Sequence, residues 1–209
     1  MRSGKYEYKM AFTTVFRRKS KAPLIIGGSD SVFPQGLDEF YDPPHSCVDI
    51  IFIHGLTGDR ERTWTHPDSL EPWPREILPA LIPDARTLTY GFDVYVLGHR
   101  GPATRNRIGD HARDFLNELV GYRQQSKTLV RPLIFVVHSL GGLLCKDALL
   151  LSKNSADTYL RDVHSSTTAI AFMGTPHSGG ALVKWARIPV ASLGVLKSST
   201  SHSSPHLTD

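Results

Sequence analysis

The chain has 209 residues, 40% of them hydrophobic and 21% charged, with a formal net charge of +4. That composition suits one folded domain and excludes wholesale disorder. No stretch reaches the roughly 18 uncharged apolar residues of a membrane span, and the longest apolar runs, 132–137 and 169–173, are strand-sized.

Residues 1–47 read as a basic, loop-rich segment, interrupted by Gly27-Gly28-Ser29-Asp30 and Asp42-Pro43-Pro44. Within it, residues 5–16 alternate in places and suit a short hairpin arm. Residues 1–21 hold seven Lys and Arg against one acid, so the remainder of the chain is slightly acidic. A nucleic-acid-binding domain carries its excess charge on the folded body, so no nucleic acid is expected as a partner.

Order is expected to begin at Val48. Residues 48–53 are β-branched and nearly all apolar, as in a buried parallel strand, and stop at His54-Gly55. A polar loop follows over 57–62. Trp73-Pro74-Arg75-Glu76 opens a short helix running to Leu81, with its proline in the first turn where the missing N–H costs little. Residues 86–90 read as a second strand ending at Gly91. Residues 108–125 form an amphipathic helix, with Ile108, Ala112, Phe115, Leu116 and Leu119 on one face and Asp110, Arg113, Glu118 and Arg123 largely off it. Residues 132–137 are a third strand. Residues 140–151 are a helix, apolar nearly all round and so expected to be buried. Residues 168–173 are a fourth strand, closed by Gly174-Thr175-Pro176-His177. A further helix is placed at 180–196 and a polar tail at 197–209.

Strands alternating with helices predict an α/β domain over 48–196, with a mostly parallel sheet and helices on both faces. Functional sites in such sheets form at the carboxyl ends of the strands. Cys47 and Cys145 show neither metal spacing nor a disulfide pattern, and no metal or cofactor is expected.

Val137-His138-Ser139-Leu140-Gly141-Gly142 joins a strand directly to a helix. A serine at that junction sits on a tight turn with its Oγ projecting above the sheet edge. Gly141 and Gly142 let the helix pack close. The N–H of Leu140 points at the atom Ser139 would attack, and the helix amino terminus adds positive potential. The first glycine of the usual G-x-S-x-G elbow is replaced by Val137. The second signal is Ile53-His54-Gly55-Leu56, which also closes a strand. Gly55 allows the backbone to turn, Leu56 N–H is the candidate second oxyanion donor, and His54 is expected to brace the loop. His138, beside the serine, is directed away by the elbow. A dinucleotide-binding reading fails, because His-Gly-Leu-Thr-Gly stands where G-x-G-x-x-G is needed.

Ile51-Phe52-Ile53-His54-Gly55-Leu56, Thr63-Trp64, Trp73-Pro74, Tyr90-Gly91, His138 through Leu143 and Phe172 through Gly180 occur in order over about residues 48–182. Together they resemble the α/β-hydrolase family of serine active site-containing proteins and related fungal lipase-like domains, and more distantly the GPI inositol-deacylase type of lipase. The resemblance implies an α/β-hydrolase fold, hydrolysis of carboxylic esters and a place in lipid metabolism. It also implies an ester or lipid substrate as partner and membership of larger multidomain chains, while the basic end segment suits peripheral membrane association. Its localisation counterpart is intracellular, at mitochondria or the endoplasmic reticulum, and not secreted.

The triad of this fold runs in the order Ser, acid, His. After Ser139 the acids are Asp147, Asp157, Asp162 and Asp209, none of them just beyond a strand's carboxyl end. Of the later histidines only His177 lies on the right edge. In the family it looks structural, so it is a weak candidate base. Only 36 residues follow Met173, too few for two more strands and the loops bearing acid and base, so a truncated member is expected. Two functions stand: a serine ester hydrolase using Ser139, or an inactive hydrolase-like binding module.

The basic amino-terminal segment also has two readings, a membrane-surface or organelle-directing arm and a solvated tail. Deleting residues 1–21 from a fluorescently tagged protein separates them. The signal turns diffuse under the first reading and keeps its distribution under the second.

Overall fold

The computed structural model describes residues 35–56, 58–92 and 105–177. The expectations for residues 1–34, for Thr57, for the 180–196 helix and for the 197–209 tail lie outside the described residues.

Five strands form one sheet: β1 (Gly36–Tyr41), β2 (Val48–Ile53), β3 (Ala85–Gly91), β4 (Leu133–His138) and β5 (Thr167–Met173). Their spatial order is β1-β3-β2-β4-β5. Strands β2 to β5 pair in parallel, and β1 runs antiparallel to β3. The mixed α/β class and the mostly parallel sheet match the expectation. The helices are α1 (Trp73–Glu76), α2 (Leu78–Leu81), α3 (Arg105–Gln125), α4 (Gly141–Lys153) and α5 (Thr158–Ser166).

Strict alternation along the central strands divides the core. Ile51 and Ile53 of β2, Leu88 and Tyr90 of β3, and Leu133, Phe135 and Val137 of β4 face the stripe Ile108, Ala112, Phe115, Leu116 and Leu119 of α3 and the inner side of α4. The opposite face holds Ile50, Phe52 and Ala85, covered by Trp64, Trp73 and Leu78. The two faces are therefore covered unequally: long helices lie on one, single helical turns on the other.

Five sequence expectations need correction. A strand, β1, already precedes Val48, over Gly36–Tyr41. Strand β1 escaped notice because it is an edge strand with only Phe40 buried, so it has no continuous apolar run. It is held by the ladder to β3 and by polar clips. Leu37 N–H donates to Glu118 Oε1 at 2.7 Å, Tyr122 OH donates to Glu39 Oε1 at 2.5 Å, and Arg60 pairs with Asp38 at 3.0 Å. The helix expected over 73–81 is two single turns separated at Ile77. Helix α4 is not buried all round: Leu144, Cys145 and Ala148 face the core, whereas Leu150 is exposed. Helix α5 was missed, although Asp157 caps it by accepting Tyr159 N–H at 2.8 Å.

Arg123 is the fifth correction. It continues the buried stripe of α3 rather than leaving it, and its side chain is fully enclosed. Its partner is Asp49, also fully buried, at the amino end of β2. The Asp49 carboxylate accepts from Arg86 Nε at 2.9 Å and Nη2 at 2.8 Å, from Arg123 Nη1 at 3.0 Å and from Arg131 Nη1 at 3.1 Å. Arg86 also donates to Thr128 Oγ1 at 2.9 Å and stacks over the Tyr122 ring. Arg123 Nη2 donates to the carbonyls of Leu129 and Arg131. Burial opposes the charge on Arg86, but the Asp49 hydrogen bonds and charge outweigh it and raise its pKa.

Removing the single carboxylate would strand two buried guanidiniums. Asp49→Ala is expected to cost about 3–5 kcal/mol in urea unfolding, the range for breaking a buried ion pair by removing one partner. Asp110→Ala removes the partner of Arg113 in an exposed pair, and is expected to change stability by no more than about 1 kcal/mol.

Candidate active site

The sheet order decides where a site can form. Strands β2 and β4 are neighbours, yet the chain leaves β2 toward β3 and leaves β4 toward β5. Diverging connections open a crevice at the carboxyl ends of the two strands. His54-Gly55-Leu56 leaves one strand there and Ser139-Leu140 leaves the other.

Ser139 has a φ of +51°, the left-handed region that costs a non-glycine residue about 1–2 kcal/mol. The surroundings impose it. Ser139 N–H donates to Met173 O of β5 at 2.9 Å, while Ser139 O accepts from Gly142 N–H at 3.1 Å. The chain thus passes from strand to helix through one residue. Val137, where the elbow pattern has glycine, is fully buried beneath this turn, and the turn forms with the valine in place.

The two loops touch backbone to backbone. A Cβ on Gly55 would stand 2.8 Å from Ser139 Cβ and 3.0 Å from His138 Nδ1. A Cβ on Gly141 would stand 2.7 Å from Ile53 O and closer still to His54 O. Gly142 fits equally closely against the Thr175 side chain. These glycines serve close approach, which brings Leu56 beside the elbow. Among the described residues, neither Leu56 N–H nor Leu140 N–H donates to a backbone carbonyl. Leu140 is the residue that caps α4, where helix geometry leaves N–H groups free.

His54 is 1% exposed and uses both ring nitrogens. Nε2 lies 3.2 Å from Phe92 N, which can only donate, so Nε2 is the acceptor. Nδ1 then carries the proton and donates to Gly55 O at 2.8 Å. The ring stacks on Phe92 at 4.5 Å. Burial lowers its pKa, with Gly55 O and the more distant Asp59 opposing that shift. These contacts tie the His54 ring to the loop after β2 and to the residue beyond β3.

The half-buried ring of His138 is turned against Gly55, and desolvation lowers its pKa. His177 is exposed, its Nδ1 accepts from Lys146 Nζ at 2.7 Å, and its ring meets Phe172 edge-on at 4.8 Å. Neither histidine is hydrogen-bonded to Ser139. Ser139 Oγ is buried with no hydrogen-bond partner among the described residues, and Thr175 Oγ1 is in the same condition. Burial pushes the Cys145 thiol up to about 12, which leaves it a packing residue. No group of three or more His, Cys, Asp or Glu among the described residues is placed to hold a metal ion.

Sequence reasoning missed Asp59 and Phe92. Asp59 Oδ1 accepts from Glu61 N–H at 2.8 Å and Arg62 N–H at 2.7 Å, which fixes the loop beyond Gly58. An aspartate two and three residues ahead of its donors was a legible turn signal. The Phe92 contact carried no signal, because it joins residues 38 apart.

No protein-family model matches the chain. Curated relatives named Protein SERAC1 are 28% identical over 155 residues in Mus musculus, 27% over 155 in Homo sapiens and 28% over 151 in Danio rerio. The aligned part covers 66% of this chain for the mouse and human proteins and 63% for the zebrafish protein. The chain spans about a quarter of these relatives, 23% of the mouse and human proteins and 22% of the zebrafish protein. Among solved structures, an inhibited esterase B from Lactobacillus rhamnosis matches over 78% of this chain and 60% of its own, at 14% identity and a TM-score of 0.37.

The close approach at Gly141 is directly testable. Gly141→Ala drives a methyl group into the carbonyls of Ile53 and His54, and a stability loss of about 1–3 kcal/mol or more is expected in urea unfolding. Gly109→Ala, inside α3 with open space around the added methyl, is expected to stabilise by about 0.5–1 kcal/mol.

Proposed function

We propose that the chain is a serine hydrolase domain acting on carboxylic esters, with lipid esters as the substrate class. The observation that carries this reading is Ser139 in a left-handed turn with the loop of Gly55 and Leu56 packed on its Cβ. Ser139 Oγ attacks the acyl carbon. As the carbonyl becomes tetrahedral its oxygen gains charge, and the N–H groups of Leu56 and Leu140 receive it. Donors fixed beforehand in a site with little water stabilise that charge without reorganising. The amino terminus of α4 adds to this at Leu140. The similarity to the SERAC1 proteins over 155 residues supports the same reading.

Esterolysis also needs a base to take the Ser139 proton, worth about 10²–10⁴-fold. Lys146 and Phe172 hold His177 in contacts of its own. The neutral His54 has both nitrogens committed. The unpartnered Ser139 Oγ thus favours a second reading, a domain of hydrolase ancestry that binds an ester or lipid without turning it over.

A fluorophosphonate probe and an activated short-chain ester separate the two. Weak labelling confined to Ser139, abolished by Ser139→Ala and retained in His177→Ala, is expected, together with feeble ester hydrolysis. Strong labelling lost in both variants, with folding intact, would identify His177 as the base. Absence of any labelling at Ser139 would leave the binding reading.

A further inference from the structure

We propose that His54 is a positioning residue that holds the oxyanion loop only as the neutral, Nδ1-protonated tautomer, so that its protonation releases the loop and switches the site off in acid. This rests on the hydrolase reading for its functional meaning. The clamp itself rests on geometry alone.

The ring ties together two segments that no backbone bond joins. One hydrogen bond holds Gly55 O, within the loop that supplies Leu56. The other holds Phe92 N–H, one residue beyond the end of β3. Each bond specifies a protonation state. Gly55 O requires a donor at Nδ1, and Phe92 N–H requires a lone pair at Nε2. A second proton on the ring can only go to Nε2, where it would face the Phe92 N–H, donor against donor. The Phe92 N–H bond must then break, and among the described residues no carboxylate is hydrogen-bonded to the ring to compensate its charge. The Gly55 bond would be left as the only tether of the charged ring.

Among the described residues, the titratable and charged groups around the ring offer little to hold a cation. On the loop after β2, Asp59 is the nearest acid, but its Oδ1 already accepts two backbone N–H bonds and its Oδ2 lies 3.9 Å from Arg62 Nε. At the end of β4 stands His138, which opposes a charge on His54. Helix α3 contributes His111, whose ring centroid lies 5.7 Å from that of Phe92. Helix α4 presents its amino terminus, with Gly141 against His54 O, and a helix amino terminus disfavours a neighbouring cation. From β3, Tyr90 is neutral, its pKa raised by burial first and by Glu118 and Asp114 next.

The sign of the pH dependence follows. Burial depresses the folded pKa of His54 below its ordinary 6.5. The clamp therefore contributes fully above the ordinary value and is lost as pH falls through the depressed one. It differs from the loss of a catalytic base, because it removes the oxyanion loop rather than a proton acceptor.

The test is a pH titration of the full chain labelled with ¹⁵N, following the His54 ring nitrogens and the exchange of the Phe92 amide. At neutral pH, His54 should show a protonated Nδ1 and an unprotonated Nε2. Phe92 amide protection should collapse over the same pH interval in which Nε2 takes its proton. In His54→Gln, a side-chain carbonyl that does not titrate can accept from Phe92 N–H, so protection there should persist through that interval. The wild-type titration stands alone if that variant does not fold. An Nε2-protonated tautomer, or Phe92 protection unchanged while His54 protonates, would overturn the clamp. Fluorophosphonate labelling of Ser139 in the wild type should be lost over the same interval. Labelling unchanged while the clamp opens would remove its role in the site, whereas absence of labelling at every pH would defeat the hydrolase reading and leave the clamp standing.

Discussion

One buried carboxylate organises the amino-terminal edge of the sheet. Asp49 takes hydrogen bonds from three guanidiniums that arrive from different parts of the chain: Arg86 on β3, Arg123 on α3 and Arg131 on the approach to β4. Three cations on one anion leave an excess of positive charge, and two of the three have no solvent to share it with. The arrangement persists because the remaining N–H groups are largely directed at oxygens. Thr128 Oγ1 and the carbonyls of Leu129 and Arg131 take them, with the Tyr122 ring beneath Arg86. Such a cluster is a poor source of net stability but a demanding one geometrically. It admits one register of β2 against β3 and one seating of α3.

That register is transmitted along the strands to the opposite edge. Beyond Asp49, four further pairs of β2 with β3 and four of β2 with β4 lead from the charge cluster to the loops that carry Gly55 and Ser139. At the carboxyl edge the tolerance is smaller than a methyl group, as Gly55 against Ser139 and Gly141 against the β2 carbonyls both show. The strained φ of Ser139 is sustained there by the bond from its own N–H to β5 and by the helix that starts immediately behind it. A fixed register at one edge and backbone contact at the other are two ends of the same constraint. Between them His54 joins the loop after β2 to the end of β3, so the three central strands meet at the crevice as one unit.

The periodic elements were legible because local chemistry dictates them. The apolar run ending at His54, the stripe from Ile108 to Leu119 and the serine between strand and glycine-led helix each occur as predicted, with ends displaced by a few residues. The elements that were missed, β1 and α5, are short and partly exposed. Their stability comes from clips and caps such as Glu118 on Leu37 N–H and Asp157 on Tyr159 N–H, and neither makes a long apolar pattern.

The sequence by itself determined the alternation of strands and helices, the glycines that backbone contact would require, and the identity of the serine, since each depends on residues adjacent in the chain. Tertiary structure alone decided that Arg123 is a buried partner of Asp49, that His138 turns toward Gly55, that Lys146 holds His177, and that Phe92 fixes the tautomer of His54. Those facts depend on which strands lie side by side. A charged residue on a helix, or a histidine in a loop, reads the same in sequence whether its partner is solvent or a group dozens of residues away. Only the fold brings Asp49 to Arg123 across 74 positions, and only burial makes that meeting obligatory.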